Sequence, residues 1–304
     1  MKPRQKADMK DGPNDRGCGD GLAAAARSII ADTRGALADR ELTDAETVHA
    51  VRKGLKRWRA LLRLLARPLG EQADRMRTEA RELMRALSGA RDAQSALDAL
   101  HGLRKADMNL SPASAENIRK RLNDIKTAAE QTTFTNETRR KLSRYLDYAT
   151  LSLDRWPLRE IDIDTVIDGL TVTYRRARQL MPDHWASADA EHLHDLRRRV
   201  VEHRHQMDLI EHLWPRLGEV WAHEAQRLRN RLGACQDLEV LSAFTGPHQP
   251  LAPWRSRLAA PIAMRRAAHI KNASRLAGRL FAEKPKAFHR RIAALWAHRQ
   301  TKKH

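Results

Sequence analysis

The chain has 304 residues, with 57 Lys and Arg against 38 Asp and Glu, so its formal charge is +19. A charge of that size opposes compaction unless an anion neutralises it, which makes polyanion binding the first expectation for a partner. Two cysteines, Cys18 and Cys235, exclude a disulfide framework or a thiolate metal site, and the sequence has no apolar run long enough to span a membrane.

The first residues, MKPRQKADMKDGPNDRGCGDG, lack the apolar middle of a secretory signal, and residues 1–19 read as a disordered leader. Beyond them Ala, Leu, Arg and Glu dominate periodic stretches, the pattern of an all-α protein. The periodicity predicts helices over 20–40, 44–67, 70–102, 112–131 and 136–153. A second series follows over 162–181, 187–213, 215–245, 254–283 and 285–299. Thr43, Ser111 and Ser187 read as N-caps, Pro68 as a helix end, and Pro112, Pro215, Pro253 and Pro285 as helix starts.

The two series share a motif at one constant offset of 145 residues: His49 matches His194, Arg52 matches Arg197, Lys53 matches Arg198, and Arg59 matches Arg204. Leu87 and Asp92 of LSGARD match Leu232 and Asp237 of LGACQD in the same way. Two antiparallel helical bundles related by a pseudo-twofold internal repeat are therefore expected. The halves would span 20–153 and 164–300, joined by a linker at 154–163.

On the helix 44–67, Val51, Leu55, Trp58, Leu62 and Leu65 recur at steps of four, three, four and three, a core stripe. Arg52, Lys56, Arg59 and Arg63 follow one residue behind, rotated by about 100° from the core. No acid occurs between Glu46 and Glu71, so this stripe repels itself until an anion arrives. The second copy is weaker, with Val201 at the place of Lys56 and Asp208 at that of Arg63. His49 and His194 head the two stripes and can donate to phosphate, so binding is expected to weaken as pH rises from about 6 to 8. Further cationic candidates are Arg175 and Arg178, and the series Lys271, Arg275, Arg279. Asp92 and Asp237 would hold an arginine in place rather than meet an anion.

VHAVRKGLKRWRALLRLL, LSGARD, TYRRARQL, LHDLRRRVVEHRHQM, RLGACQDLEVL and LFAEKPKAFHRRIAALW together resemble the CHAD domain family, over roughly residues 20–300. The resemblance implies paired helical bundles with a basic groove that binds inorganic polyphosphate and targets a cytoplasmic protein to polyphosphate granules. By position it assigns the groove to His49, Arg52, Lys53, Lys56, Arg59, His194, Arg197, Arg198 and Arg204. The Glu-x-Glu-x-Lys signature of the triphosphate-hydrolysing CYTH domain that often accompanies the family is absent. No cofactor, metal ligand set or catalytic residue is expected. A nucleic-acid phosphate binder is the alternative partner reading, and a metal-dependent phosphohydrolase a weaker one, since no carboxylate cluster or nucleophile with a base is visible.

Overall fold

The computed structural model describes residues 18–105 and 111–301, so the leader expected at 1–19 lies almost wholly outside the described residues. Among the described residues eleven α-helices follow one another: α1 Cys18–Ala38, α2 Asp44–Leu64, α3 Ala66–Ala86, α4 Arg91–Arg104, α5 Pro112–Thr133, α6 Asn136–Arg155, α7 Ile163–Gln179, α8 Ala190–Ile210, α9 Pro215–Phe244, α10 Arg255–Leu280 and α11 Pro285–Thr301. Short 3-10 turns join some of them, and no strand occurs among the described residues. The fold is all-α.

Local chemistry sets most boundaries. Thr43 caps α2 in a reciprocal box: its Oγ1 accepts from the Glu46 amide at 3.3 Å and its own amide donates to Glu46 Oε2 at 3.0 Å. Ser111 caps α5 ahead of Pro112. Three expectations need correction. Helix α2 ends at Leu64 rather than 67, because the ring of Pro68 would clash with the carbonyl four residues earlier, that of Leu64. The chain turns instead at Leu65, starts α3, and bends again at Gly70, whose φ of +54° suits glycine. Ser187 lies in a 3-10 turn, and Asp189 is the cap of α8, its Oδ1 accepting from the His192 amide at 2.7 Å.

The third correction concerns 70–102, which is two helices parted at 87–90. Arg52 Nη1 donates to the carbonyls of Met84 and Leu87, which a continuous helix would have used for the amides of Ser88 and Arg91. Those amides take Arg85 O and Ser88 O instead. The matching stretch of the second series, α9, runs unbroken for 30 residues. Pro261 stands inside α10.

The main core draws on α1, α2, α3 and α6 and equally on α7 to α11, while α4 and α5 pack against α9 and α10 in a second cluster. Val51, Leu55, Trp58, Leu62 and Leu65 are all buried. Trp58 stacks on Trp156 at 6.0 Å and donates from Nε1 to Tyr145 Oη, which passes its own proton to Met76 O, both at 2.8 Å. That chain ties α2 to α6 and α3 with every polar atom in it partnered. The offset of 145 carries Trp58 to His203, which occupies a box of Tyr174, Trp221, Phe281 and Phe288. Helices α2 and α8 meet directly, and Gln206 Nε2 bonds across to Ala60 O at 3.0 Å.

Candidate anion-binding seam

Burying one face of α2 against the core leaves the adjoining stripe half-buried along its meeting with α8. Arg52, Lys56, Arg59 and Arg63 occupy it one turn apart, spanning roughly 16 Å of helix axis at 1.5 Å per residue. Their stems are covered and their heads crowd together. Lys56 faces Arg52, Arg91 of α4, Arg229 of α9 and Arg197 of α8. Arg59 faces Arg198 of α8 and Arg77 and Arg81 of α3, and Arg63 faces Arg77, Arg199 and Arg176 of α7.

Burial lowers the proton affinity of every one of these groups, and the like charges around them lower it further. For the guanidiniums the shift is without consequence near neutrality, because arginine keeps its proton. The Lys56 ammonium, in contrast, is pushed down to about 7, chiefly by burial and then by Arg52, Arg91, Arg229 and Arg197.

Acids are few here and occupied. Glu202, buried on α8, pairs with Arg199 at 2.5 Å and lies 3.9 Å from Arg63. Asp237 sits between α9 and α4 beside Arg197, Arg91 and Ser95, and burial raises its pKa against the pull of Ser95 and Arg197. Asp92 is exposed in the first turn of α4, where a carboxylate favours the helix N-terminus. The Nε groups of Arg59, Arg63, Arg197 and Arg204 are buried with no hydrogen-bond partner. Unpartnered buried donors on cations are costly, and an oxyanion would satisfy them.

Gln236 Oε1 of α9 accepts from Arg197 Nη1 and from His194 Nδ1 of α8, each at 2.9 Å, which fixes the imidazole and the guanidinium side by side. Gly233 leaves room for Arg197, whose Nε lies 3.3 Å from the place of a Cβ there. Arg198 pairs with Asp195 at 2.8 Å, and Arg204 stands 4.0 Å from Asp208.

The seam therefore gathers Arg52, Lys56, Arg59, Arg63, His194, Arg197, Arg198 and Arg204. His49 and Lys53 are exposed at the head of α2. Arg178 is occupied elsewhere, donating to the carbonyls of Phe281, Ala282 and Glu283 at the end of α10. Arg175 is exposed on α7, and its neighbour Arg176 is the one that reaches Arg63. Lys271, Arg275 and Arg279 line the exposed face of α10, where Arg279 pairs with Glu224 at 3.2 Å. They are not among the charges acting on the seam groups, which come from α2, α3, α4, α7, α8 and α9.

Arg77, Arg81, Arg91 and Arg229 complete the cluster without having been singled out in the sequence. Arg91 precedes Asp92 as Gln236 precedes Asp237, and that shared register was the signal available for it. Among the described residues no group of three or more His, Cys, Asp or Glu is placed to hold a metal ion. No helix there is long and apolar enough to cross a membrane.

The family model described as the CHAD domain matches residues 21–245. No curated protein matches the chain. Among solved structures, PptA from Streptomyces chartreusis superposes with a TM-score of 0.63 at 17% identity, over 86% of this chain and 99% of that one. The crystal structure of the CHAD domain from the plant Ricinus communis superposes with a TM-score of 0.54, also at 17% identity, over 92% and 93%. At such identity the likeness concerns the fold, and it agrees with the helical architecture described above. With the family model matching well over half of its length, the chain belongs to the CHAD domain family.

Proposed function

We propose that this protein binds inorganic polyphosphate, without turning it over, along the seam between α2 and α8, and is thereby brought to polyphosphate granules. The observation that carries the reading is the set of buried guanidinium Nε groups without a hydrogen bond on Arg59, Arg63, Arg197 and Arg204, two from each of the facing helices. A chain of phosphates offers an oxyanion at every repeat and matches a row of cations set one helical turn apart. Membership of a family associated with polyphosphate supports the same ligand. Pseudo-twofold repetition would supply such a ligand with two half-sites, of which the α2 half carries more unneutralised charge.

Polyphosphate fits better than a nucleic acid because Trp58, the aromatic next to the basic stripe, lies on the core face, buried against Trp156, and cannot stack on a base. Long-chain polyphosphate should displace bound oligonucleotide at moderate salt, and duplex or single-stranded DNA should fail to displace polyphosphate. Equal displacement in both directions would favour a general phosphate-backbone binder. With magnesium present, purified protein should release no orthophosphate above a heat-treated control. Steady release would make it an enzyme.

A further inference from the structure

Five cations converge where α2, α4, α8 and α9 meet: Arg52, Lys56, Arg91, Arg197 and Arg229. Four are guanidiniums, which do not surrender a proton in the range proteins occupy, so only Lys56 can relieve the mutual repulsion. We propose that Lys56 is a proton-coupled element of the seam: the empty site releases a proton from its amine, and an entering polyphosphate draws one back, so that anion binding and proton uptake are a single linked event. The proposal rests on the polyphosphate reading and adds how that site responds to pH. The proton comes from solvent and lands on Lys56 Nζ, and no other bond is made or broken.

The surroundings of Lys56 leave it little other choice. Arg52 and Arg59 flank it on its own helix, Arg91 approaches from α4, Arg197 and His194 from α8, and Arg229 and Asp237 from α9. Asp237 acts on Arg197 and Arg229 rather than on Lys56 itself. Helices α1, α3 and α7 also pack on α2: there Asp32 pairs with Arg57, Asp168 pairs with Arg67, and Arg77 repels Arg59 and Arg63. No carboxylate faces the amine among the groups that act on it. Its proton affinity, near 7 in the free protein, makes it about half neutral at physiological pH. A polyanion placed between five cations turns a repulsive field attractive and restores the ammonium.

Calorimetry with long-chain polyphosphate at pH 8.5, where imidazoles are neutral, in buffers of low and high ionisation enthalpy, should report uptake of nearly one proton per seam. Affinity should fall about twentyfold from pH 7.5 to 9, a window in which imidazoles are already largely neutral. Lys56→Arg holds the charge permanently, and should abolish both the uptake and that pH dependence. Uptake persisting in Lys56→Arg, or wild-type protein binding with none, would overturn the proposal. A ligand-free check uses isotopically labelled lysine and NMR, where Lys56 should titrate well below the ordinary lysine range. Titration within that range overturns the proposal whatever binds. Titration near neutrality with no response to polyphosphate overturns the coupling together with the polyphosphate reading, while binding without uptake removes the coupling alone.

Discussion

Arg52 and Arg197 stand at matching places in the sequence, 145 residues apart, yet they do different work. Arg52 holds the open end of α3 through the carbonyls of Met84 and Leu87, whereas Arg197 is held by Gln236 next to His194. Arg52→Ala should therefore cost about 2–3 kcal/mol of stability in a denaturant titration, through two lost charge-assisted bonds. Arg59→Gln should cost little, because Arg59 donates only weakly, to Met84 sulfur at 4.0 Å. Equal destabilisation by the two would refute the capping role. His203 makes a second prediction. Trp221 Nε1 donates to its Nε2 at 3.0 Å, so the ring stays neutral with its proton on Nδ1, and burial pushes its pKa down to about 3. A base whose folded pKa is depressed gives its full contribution above the unfolded value near 6.5 and loses it as pH falls toward 3. Stability should fall by up to about 1.4 kcal/mol per pH unit in that window, with His269, lowered to about 4, adding in the same direction. Thermal melts of His203→Gln should show a shallower loss between pH 6.5 and 4. An unchanged slope would mean that the imidazole does not drive acid unfolding.

At the scale of elements, α2 and α8 share a pattern but not a charge balance. Each of three α8 arginines lies against an acid of its own helix: Arg198 with Asp195, Arg199 with Glu202 and Arg204 with Asp208. On the α2 stripe, the acid that acts is Glu202 of α8, which lies 3.9 Å from Arg63 and bears on Arg59 as well. An anion approaching α8 competes with Asp195, Glu202 and Asp208, and one approaching α2 with Glu202. Arg59→Gln should weaken polyphosphate binding by roughly 1.5–3 kcal/mol, and Arg204→Gln by less than about 1 kcal/mol. Equal losses in a titration series would show the halves to be equivalent ligands. The stripe of α2 was readable because steps of four and three place residues on one helical face whatever surrounds it. The division of 70–102 was not, since it depends on a side chain 32 residues upstream of Met84 capturing carbonyls that local propensity assigns to the helix.

For the whole molecule, a formal charge of +19 and a seam of crowded cations make the free protein an electrostatically strained one. Polyphosphate should raise the melting temperature in proportion to the logarithm of its concentration once binding saturates. Log affinity should fall linearly with log salt, with a slope of several units for several phosphate contacts, when measured between 50 and 200 mM salt. A flat salt dependence would mean that burial or shape, and not charge, holds the ligand.

The sequence by itself determined the all-α class, the buried stripe of α2, the Thr43 and Ser111 caps, and the stripe of cations one residue behind the core. Each follows from periodicity or from contacts within one turn of helix, which the chain carries wherever it is placed. Tertiary structure alone decided which cations meet. Arg91 and Arg229 come to Lys56 from α4 and α9, Arg176 replaces Arg175, Arg178 turns to the end of α10, and Lys271, Arg275 and Arg279 remain on an outer face. The reason is physical: charge is read along the chain one residue at a time, but proton affinity and anion affinity depend on the distances between charges on different helices, and packing alone sets those distances.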